Sequence, residues 1–274
     1  MFEPVIKWTG SKRSQAEKIC SYIPQTIDIY YEPFCGGASV MWRLLHTNMG
    51  VQRFVSSDVN KGLIDLWNTV MFEPVELAKH YRALWTELTK DEDIDRRREY
   101  YESVRDRYNK EHDPKDFMFI MRTTTNGMPR YNKDGDFNNS FHLTRSGIHP
   151  DTLEESIHFW SGVLRFRDVE FRHCSYEEIQ PTSQDFVYFD PPYANTKGIY
   201  YGTIDYERFW EYLRGLPCPY LLSFDGRAGD DDKTWKVPED VYTEHVYLDS
   251  GKSSFRKLKT GEGVEVQESL YIRK

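Results

Sequence analysis

The chain has little cysteine and no long apolar run. Its four cysteines, Cys20, Cys35, Cys174 and Cys218, stand far apart with no CxxC spacing. That excludes a zinc ribbon or a disulfide framework as the organising device and fits a reducing cytoplasm. No stretch approaches the roughly 20 apolar residues a membrane helix needs, and the opening Met-Phe-Glu-Pro does not read as a signal peptide. There is no internal repeat and no low-complexity tract. A positive balance is lacking too, the formal net charge being −8. Taken alone this argues against nucleic acid, but net charge is a poor guide when basic residues gather on one face. Hydrophobic residues at 39% and aromatics at 15% exclude general disorder, and 274 residues suffice for one large domain or a core with one insertion.

Against these absences, Asp190-Pro191-Pro192-Tyr193 stands out. It follows the apolar run 185–189, which reads as a buried strand. Proline cannot donate to a sheet ladder, so the strand stops there. The two prolines stiffen the turn and hold a carboxylate, a backbone carbonyl and an aromatic face around one point. A planar amine suits that point: two acceptors take its two N–H protons while the ring covers the base.

A second constellation lies nearer the start. Residues 29–31 read as a strand, Glu32-Pro-Phe-Cys-Gly36-Gly37 as a tight turn, and 38–46 as a helix. Strand, glycine turn and helix form the opening unit of a doubly wound α/β sheet. The turn is not GxGxxG, which disfavours a dinucleotide. The paired glycines still allow close backbone approach to a ligand, and Glu32 suits an ammonium or a ribose. Residues 53–57 read as the next strand, ended by Asp58, an acid placed to take ribose hydroxyls. A nucleoside ligand follows.

Charge is unevenly spread. Lys252 to Lys259 is a basic cluster, while Arg122, Arg130, Lys133 and Arg145 punctuate a polar middle segment with Asn, Thr and Tyr between them. That mixture reads as a base-reading surface, with Lys133-Asp-Gly135 as the turn of a β-hairpin over 122–141. Residues 74–109 read as helical, with Leu77, Tyr81, Leu84 and Leu88 on one face. Helix is expected again from Glu207, and strands over 169–171, 219–223 and 265–271, the last as an edge strand.

In order along the chain come Lys7-Trp-Thr-Gly-Ser-Lys12, Glu32-Pro-Phe-Cys-Gly-Gly37, Ser57-Asp58-Val-Asn60, the segment from Arg122 to Phe141, and Asp190-Pro-Pro-Tyr193. In these pieces and their order the chain resembles the Dam-type DNA adenine amino-methyltransferases of bacteria and bacteriophages. The resemblance implies an α/β fold: a Rossmann-like, S-adenosylmethionine-dependent methyltransferase sheet carrying a helical and β-hairpin target-recognition insertion. Residues 1–68 and 151–274 would form the catalytic and cofactor-binding domain, and 69–150 the insertion. It implies S-adenosylmethionine as cofactor, bound by Trp8, Lys12, Glu32, Phe34, Gly36, Asp58, His173, Cys174 and Asp190. Asp190 and the carbonyl of Pro191 would accept the hydrogens of the adenine 6-amino group, with Pro192 shaping the turn and Tyr193 stacking on the flipped base. Lys7, Arg122, Asn126, Arg130 and Asn132 match positions that contact DNA, Arg130 where a guanine of GATC is read. Arg256 and Lys257 in the basic cluster are expected on phosphates.

The family commonly carries an aromatic wedge just before the position of Asn126; this chain has Thr125, leaving Met128 and Tyr131 as candidates for that work. The reading that results is a site-specific adenine methyltransferase acting on double-stranded DNA, at GATC or a related sequence, in a bacterial or phage-infected cytoplasm. It needs no metal or membrane and works as a monomer, or as two molecules on one duplex. The alternatives are a methyltransferase acting on RNA or a protein amide, a nucleotide-binding oxidoreductase, and a DNA-binding module with a dead site. Asp190 where amide enzymes more often have Asn, the missing GxGxxG, and the intact motifs argue against them in turn.

Overall fold

Outside 122–141, every run read as a strand is one in the computed structural model, which describes residues 5–193, 204–228, 231–232, 236–252 and 265–274. These strands are β1 (Ile27–Pro33), β2 (Val51–Asp58), β3 (Val169–His173), β4 (Phe186–Phe189) and β5 (Tyr220–Ala228), followed by the short β6 (Asp231–Asp232), then β7 (Glu244–Lys252) and β8 (Glu265–Arg273). The helices are α1 (Ala16–Cys20), α2 (Ser39–Thr47), α3 (Lys61–Phe72), α4 (Pro74–Leu88), α5 (Ile94–Glu111), α6 (Pro114–Thr123), α7 (Pro150–Phe166) and α8 (Tyr206–Gly215). The chain divides into two compact units, one built from 5–11 and 58–173, the other from 12–57, 174–193 and the described residues beyond 203.

The first unit is mostly helical. Its helices start where side chains or proline satisfy the open N–H groups. Asn60 accepts from Leu63 at the head of α3, Asp93 and Asp113 cap α5 and α6, and Pro74, Pro114 and Pro150 occupy first-turn positions. Leu77, Tyr81, Leu84 and Leu88 are buried, as their spacing predicts. Trp67 stacks between Trp160 and Phe171, each with ring centroids 5.1 Å away. The buried Asp116 ties α6 to α5 and α4 by accepting from Arg107 Nε at 2.6 Å and lying 2.7 Å from His80 Nε2. Arg96 and Arg98 lie in ion pairs with Asp91, Glu87 and Asp95. Over 122–141 only two isolated bridges form, Thr124 with Phe141 and Tyr131 with Phe137. The reason is local: Asn126 and Gly127 are left-handed, at φ 59° and 63°, and Pro129 has no N–H to donate.

The second unit is a sheet in the order β2-β1-β4-β5-β8-β7. β1 runs parallel to β2 on one side and to β4 on the other, and β4 runs parallel to β5. Strand order therefore reverses at β1 and β4, and ligands in such sheets lie outside the carboxyl ends at that reversal. All four residues of β4 are buried, as a strand covered on both faces requires. Phe209, Trp210 and Leu213 of α8 pack in one cluster with Phe189, Leu222 and Phe224. One expectation is corrected. β8 is not an edge strand: it lies antiparallel between β5 and β7, with Ser269, Leu270, Tyr271 and Ile272 all buried. The β7–β8 pair docks on β5 through β8, which leaves β7 outside it.

The β5–β8 register shifts between Phe224 and Arg227, and Gly226 sits in that shift. A Cβ there would stand 2.0 Å from the Gln267 carbonyl oxygen and 2.7 Å from Glu268 Cα. Gly226→Ala is therefore expected to push β8 away at a cost of about 1–3 kcal/mol, lowering the melting temperature by roughly 3–10 °C. Thermal unfolding checks this; an unchanged melting temperature means the two strands part freely at that point.

Candidate active site

In the second unit, two acids stand at the carboxyl ends of neighbouring parallel strands. Glu32 is next to last in β1, and Asp190 follows β4 directly, with Tyr31 opposite Val187 in register. Glu32 is 3% exposed. Its Oε2 accepts from the Tyr30 hydroxyl at 2.7 Å and from the Met41 N–H at 2.8 Å. The second bond caps α2, whose N-cap residue, Ala38, supplies no side-chain acceptor. Burial pushes the Glu32 carboxyl up to about 8, against the pull of those two bonds. Between β1 and α2 the backbone takes left-handed conformations at Phe34, Gly36 and Ala38, with φ 67°, 46° and 51°. Two of these are not glycine, so the turn holds strain, and packing fixes it: the Phe34 ring meets Tyr176 at 5.6 Å and Phe209 at 6.2 Å.

Asp190 is paired. Lys12 Nζ lies 2.9 Å from its Oδ1 and 3.4 Å from Glu268 Oε2, with the lysine side chain only 7% exposed. The Tyr193 hydroxyl donates to Glu268 Oε2 at 2.9 Å and approaches Asp190 Oδ1 at 3.4 Å, and Lys12 Nζ stands 5.1 Å from the Tyr193 ring centroid. Burial pushes the Asp190 carboxyl up and Lys12 pulls it down, leaving it at about 6. The turn is braced by the Tyr206 hydroxyl, which donates to the Pro192 carbonyl at 2.7 Å. Structure thus gathers Lys12, Glu32, Asp190 and Tyr193 in one unit, with Phe34, Gly36 and the half-buried Cys174 on elements of that unit. Glu268 was missed. A glutamate amid the buried residues of a central strand is a signal, but it is readable only once β8 is known to be central.

The first unit holds Lys7, Trp8, Asp58, Arg122, Asn126, Arg130, Asn132 and His173. Asp58 Oδ1 accepts from the Asn60 N–H at 2.9 Å, and His173 Nε2 lies 3.1 Å from the Val59 carbonyl, so the loop after β2 and the end of β3 meet. Asn60 also donates to the Tyr131 hydroxyl at 2.9 Å. That bond and an edge contact with Phe137 at 5.6 Å hold the Tyr131 ring, whereas Met128 is half-buried. Trp8 is half-buried beside Thr9, whose N–H donates to the Gly127 carbonyl at 3.0 Å. Lys7 packs against that same turn, and burial first, then Arg145 and Arg122, holds its ammonium below the usual range.

The residues expected to contact DNA separate by exposure. Asn126 and Arg130 are exposed. Arg122 is 8% exposed, and its Nε and Nη2 donate to the Val5 carbonyl at 3.0 and 2.6 Å, so it anchors the N-terminal segment that carries Lys7. Asn132 Oδ1 accepts from the N–H groups of Asp134 and Asp136, both at 2.9 Å, and so builds the turn it sits in. Arg256 and Lys257 lie outside the described residues. Among the described residues no helix is long and apolar enough to cross a membrane.

Comparison with known proteins bears on this arrangement. A family model described as D12 class N6 adenine-specific DNA methyltransferase matches residues 8–221. The chain is 30% identical over 206 residues to the type II methyltransferase M.MjaIII of Methanocaldococcus jannaschii, a match covering 70% of this chain and 69% of that protein. It is 30% identical over 195 residues to the DNA adenine methylase of Escherichia coli K12, covering 69% and 64%. It is 29% identical over 196 residues to the type II methyltransferase M.CviBI of Paramecium bursaria Chlorella virus NC1A, covering 70% and 69%. The match thus spans about two thirds of the length of these relatives.

Glu32 generates a prediction of its own. Its folded value of about 8 lies above the ordinary 4.5, so the folded state binds the proton more tightly than the unfolded chain. The stability this gives is full below about 4.5 and is lost as pH rises towards about 8. Glu32→Gln is expected to flatten that decline, so that wild type and variant diverge as pH rises through this window. Urea unfolding at a series of pH values reads the difference; parallel curves mean Glu32 is already ionised near neutrality.

Proposed function

Since the chain belongs to the D12 class of N6 adenine-specific DNA methyltransferases, we propose that it moves a methyl group from S-adenosylmethionine to the 6-amino group of an adenine turned out of double-stranded DNA. The observation that carries this reading is the strand-end cluster: Asp190 and Tyr193 at the reversal of strand order, with the buried Glu32 one strand away. The proposed site is GATC or a related sequence, and the proposed working form a monomer. The four free thiols suit a reducing cytoplasm.

The residues fit the cofactor. Glu32, with both of its hydrogen bonds on Oε2, suits a ligand's ammonium at its other oxygen. A carboxyl kept protonated by burial ionises when a cation arrives. The left-handed turn through Gly36 brings backbone close to such a ligand, Phe34 and Cys174 add apolar surface, Trp8 and His173 are proposed to line its adenosine, and Asp58 to take the ribose. When bound, the cofactor's sulfonium supplies an activated methyl group.

The protein's own part is positioning and charge. The adenine amine is a weak nucleophile because its lone pair is delocalised into the ring. Asp190 and the Pro191 carbonyl accept its two N–H protons and turn that pair out of the ring plane, while Tyr193 covers the base. As the nitrogen–carbon bond forms, one amine proton becomes acidic and leaves by way of Asp190. With its value near 6, Asp190 is mostly ionised at neutral pH and ready to accept. The segment 69–150 is proposed to read the target, with Arg130 and Asn126 at base edges, Lys7 beside them, Arg122 and Asn132 shaping the surface, and Arg256 and Lys257 on phosphates.

Three outcomes are expected. Asp190→Ala abolishes transfer of radiolabelled methyl groups to duplex DNA and leaves cofactor affinity intact, and the wild-type rate falls on acidification through about pH 6 as Asp190 is protonated. Turnover within about tenfold of wild type removes Asp190 from the mechanism; transfer to RNA or protein but not to duplex DNA removes the substrate. For target reading, Arg130→Ala relaxes preference at one base position by about 1–3 kcal/mol, read by a binding panel of single-base variants of the methylated site. A uniform loss with preference kept makes Arg130 a backbone contact instead.

A further inference from the structure

We infer that Glu268 is a positioning residue that takes over the ammonium of Lys12 when the target amine engages Asp190. The inference rests on Asp190 being the acceptor of that amine. The amine needs the same carboxylate that Lys12 now holds at 2.9 Å. Lys12 is 7% exposed, so water cannot replace the lost partner, and a buried ammonium deprived of its counter-charge is strongly disfavoured. Glu268 Oε2 already lies 3.4 Å from the same nitrogen. A movement of a few tenths of an ångström, within ordinary side-chain motion, makes that the primary pair and frees Asp190.

The glutamate is itself fixed. Tyr193 donates its hydroxyl to the same Oε2 at 2.9 Å, so one oxygen sets both the tilt of the stacking ring and the resting place of the lysine. β8 holds Glu268 in register opposite Leu248, between two antiparallel neighbours. It also lies beyond the segment 8–221 that the family model matches, so this fourth member of the cluster comes from outside the matched motifs. The charged and titratable groups facing Asp190 are Lys12, Tyr193 and Glu268, with Glu32 and Tyr188 from the neighbouring strand and its own.

Glu268→Gln tests this. It keeps size and an acceptor oxygen for Tyr193 but removes the charge. The expected result is a kcat lowered about tenfold or more, with S-adenosylmethionine affinity by calorimetry within about twofold of wild type. The acid limb of kcat should also move to lower pH, because a negative neighbour that raises the Asp190 value is gone. Glu268→Asp keeps the charge and is expected to recover most of the rate and the wild-type acid limb. Wild-type behaviour of Glu268→Gln at every pH overturns the inference, as does Glu268→Asp performing no better than Glu268→Gln. If Glu268→Gln loses cofactor binding, the limb of Glu268→Asp decides: unmoved supports, shifted overturns. Asp190→Ala is assayed alongside. An active Asp190→Ala removes the acceptor reading itself, whereas an inactive one beside an unaffected Glu268→Gln removes Glu268 alone.

Discussion

Parallel pairing of β1 with β4 is the constraint from which the site follows. It sets the ends of two buried strands side by side and leaves an acid at each, Glu32 and Asp190. Two carboxylates at neighbouring strand ends, one buried and one half-buried, cannot both stay fully ionised without help. The help differs. Glu32 receives two hydrogen bonds and keeps its proton near neutrality, while Asp190 receives a buried lysine and releases its own more readily. One sheet thus carries two acids of separate character, one that keeps its proton near neutrality and one that is mostly ionised there.

What was legible in the sequence was local. Glu32 to Gly37 and Asp190 to Tyr193 declare themselves because strand, turn and acid are contiguous, and each strand read from a short apolar run is present. The sheet position of β8 was not legible, since chain order does not say which strand lies between which. Glu268 was hidden for the same reason. Arg122 shows the converse. Its neighbours suggest a reading surface, yet its guanidinium is buried on the Val5 carbonyl, because α6 turns that side chain inward at its last turn. Family membership belongs to 8–221; the charge balance at Asp190 draws on a residue beyond it.

The segment 122–141 obeys a different logic from the sheet. It is held by few backbone bridges and many side-chain bonds: Asn132 to its own turn, Asn139 to the Thr125 and Met128 carbonyls, Asn60 to Tyr131. Such a surface keeps its shape without a ladder, which leaves exposed positions such as Arg130 and Asn126 open to change. Gly127 is the exception. A Cβ there would meet Lys7 Cγ and the Lys7 carbonyl oxygen, both at 2.8 Å. Tyr131 is held by Asn60 and Phe137, whereas Met128 is half-buried.

The cluster that Lys12, Asp190, Tyr193 and Glu268 form has a consequence in time. Its members come from the early, middle and late parts of the sequence, and β8 must pair on both sides before Glu268 is in place. Contacts so distant along the chain close late in folding. During synthesis the glycine turn and the first parallel strands have their own sequence to hand, yet the buried lysine lacks one of its two carboxylates until β8 emerges from the ribosome. The charge cluster around Asp190 therefore closes only after β8 has been made, well after the strands that lead to Glu32 and Asp190.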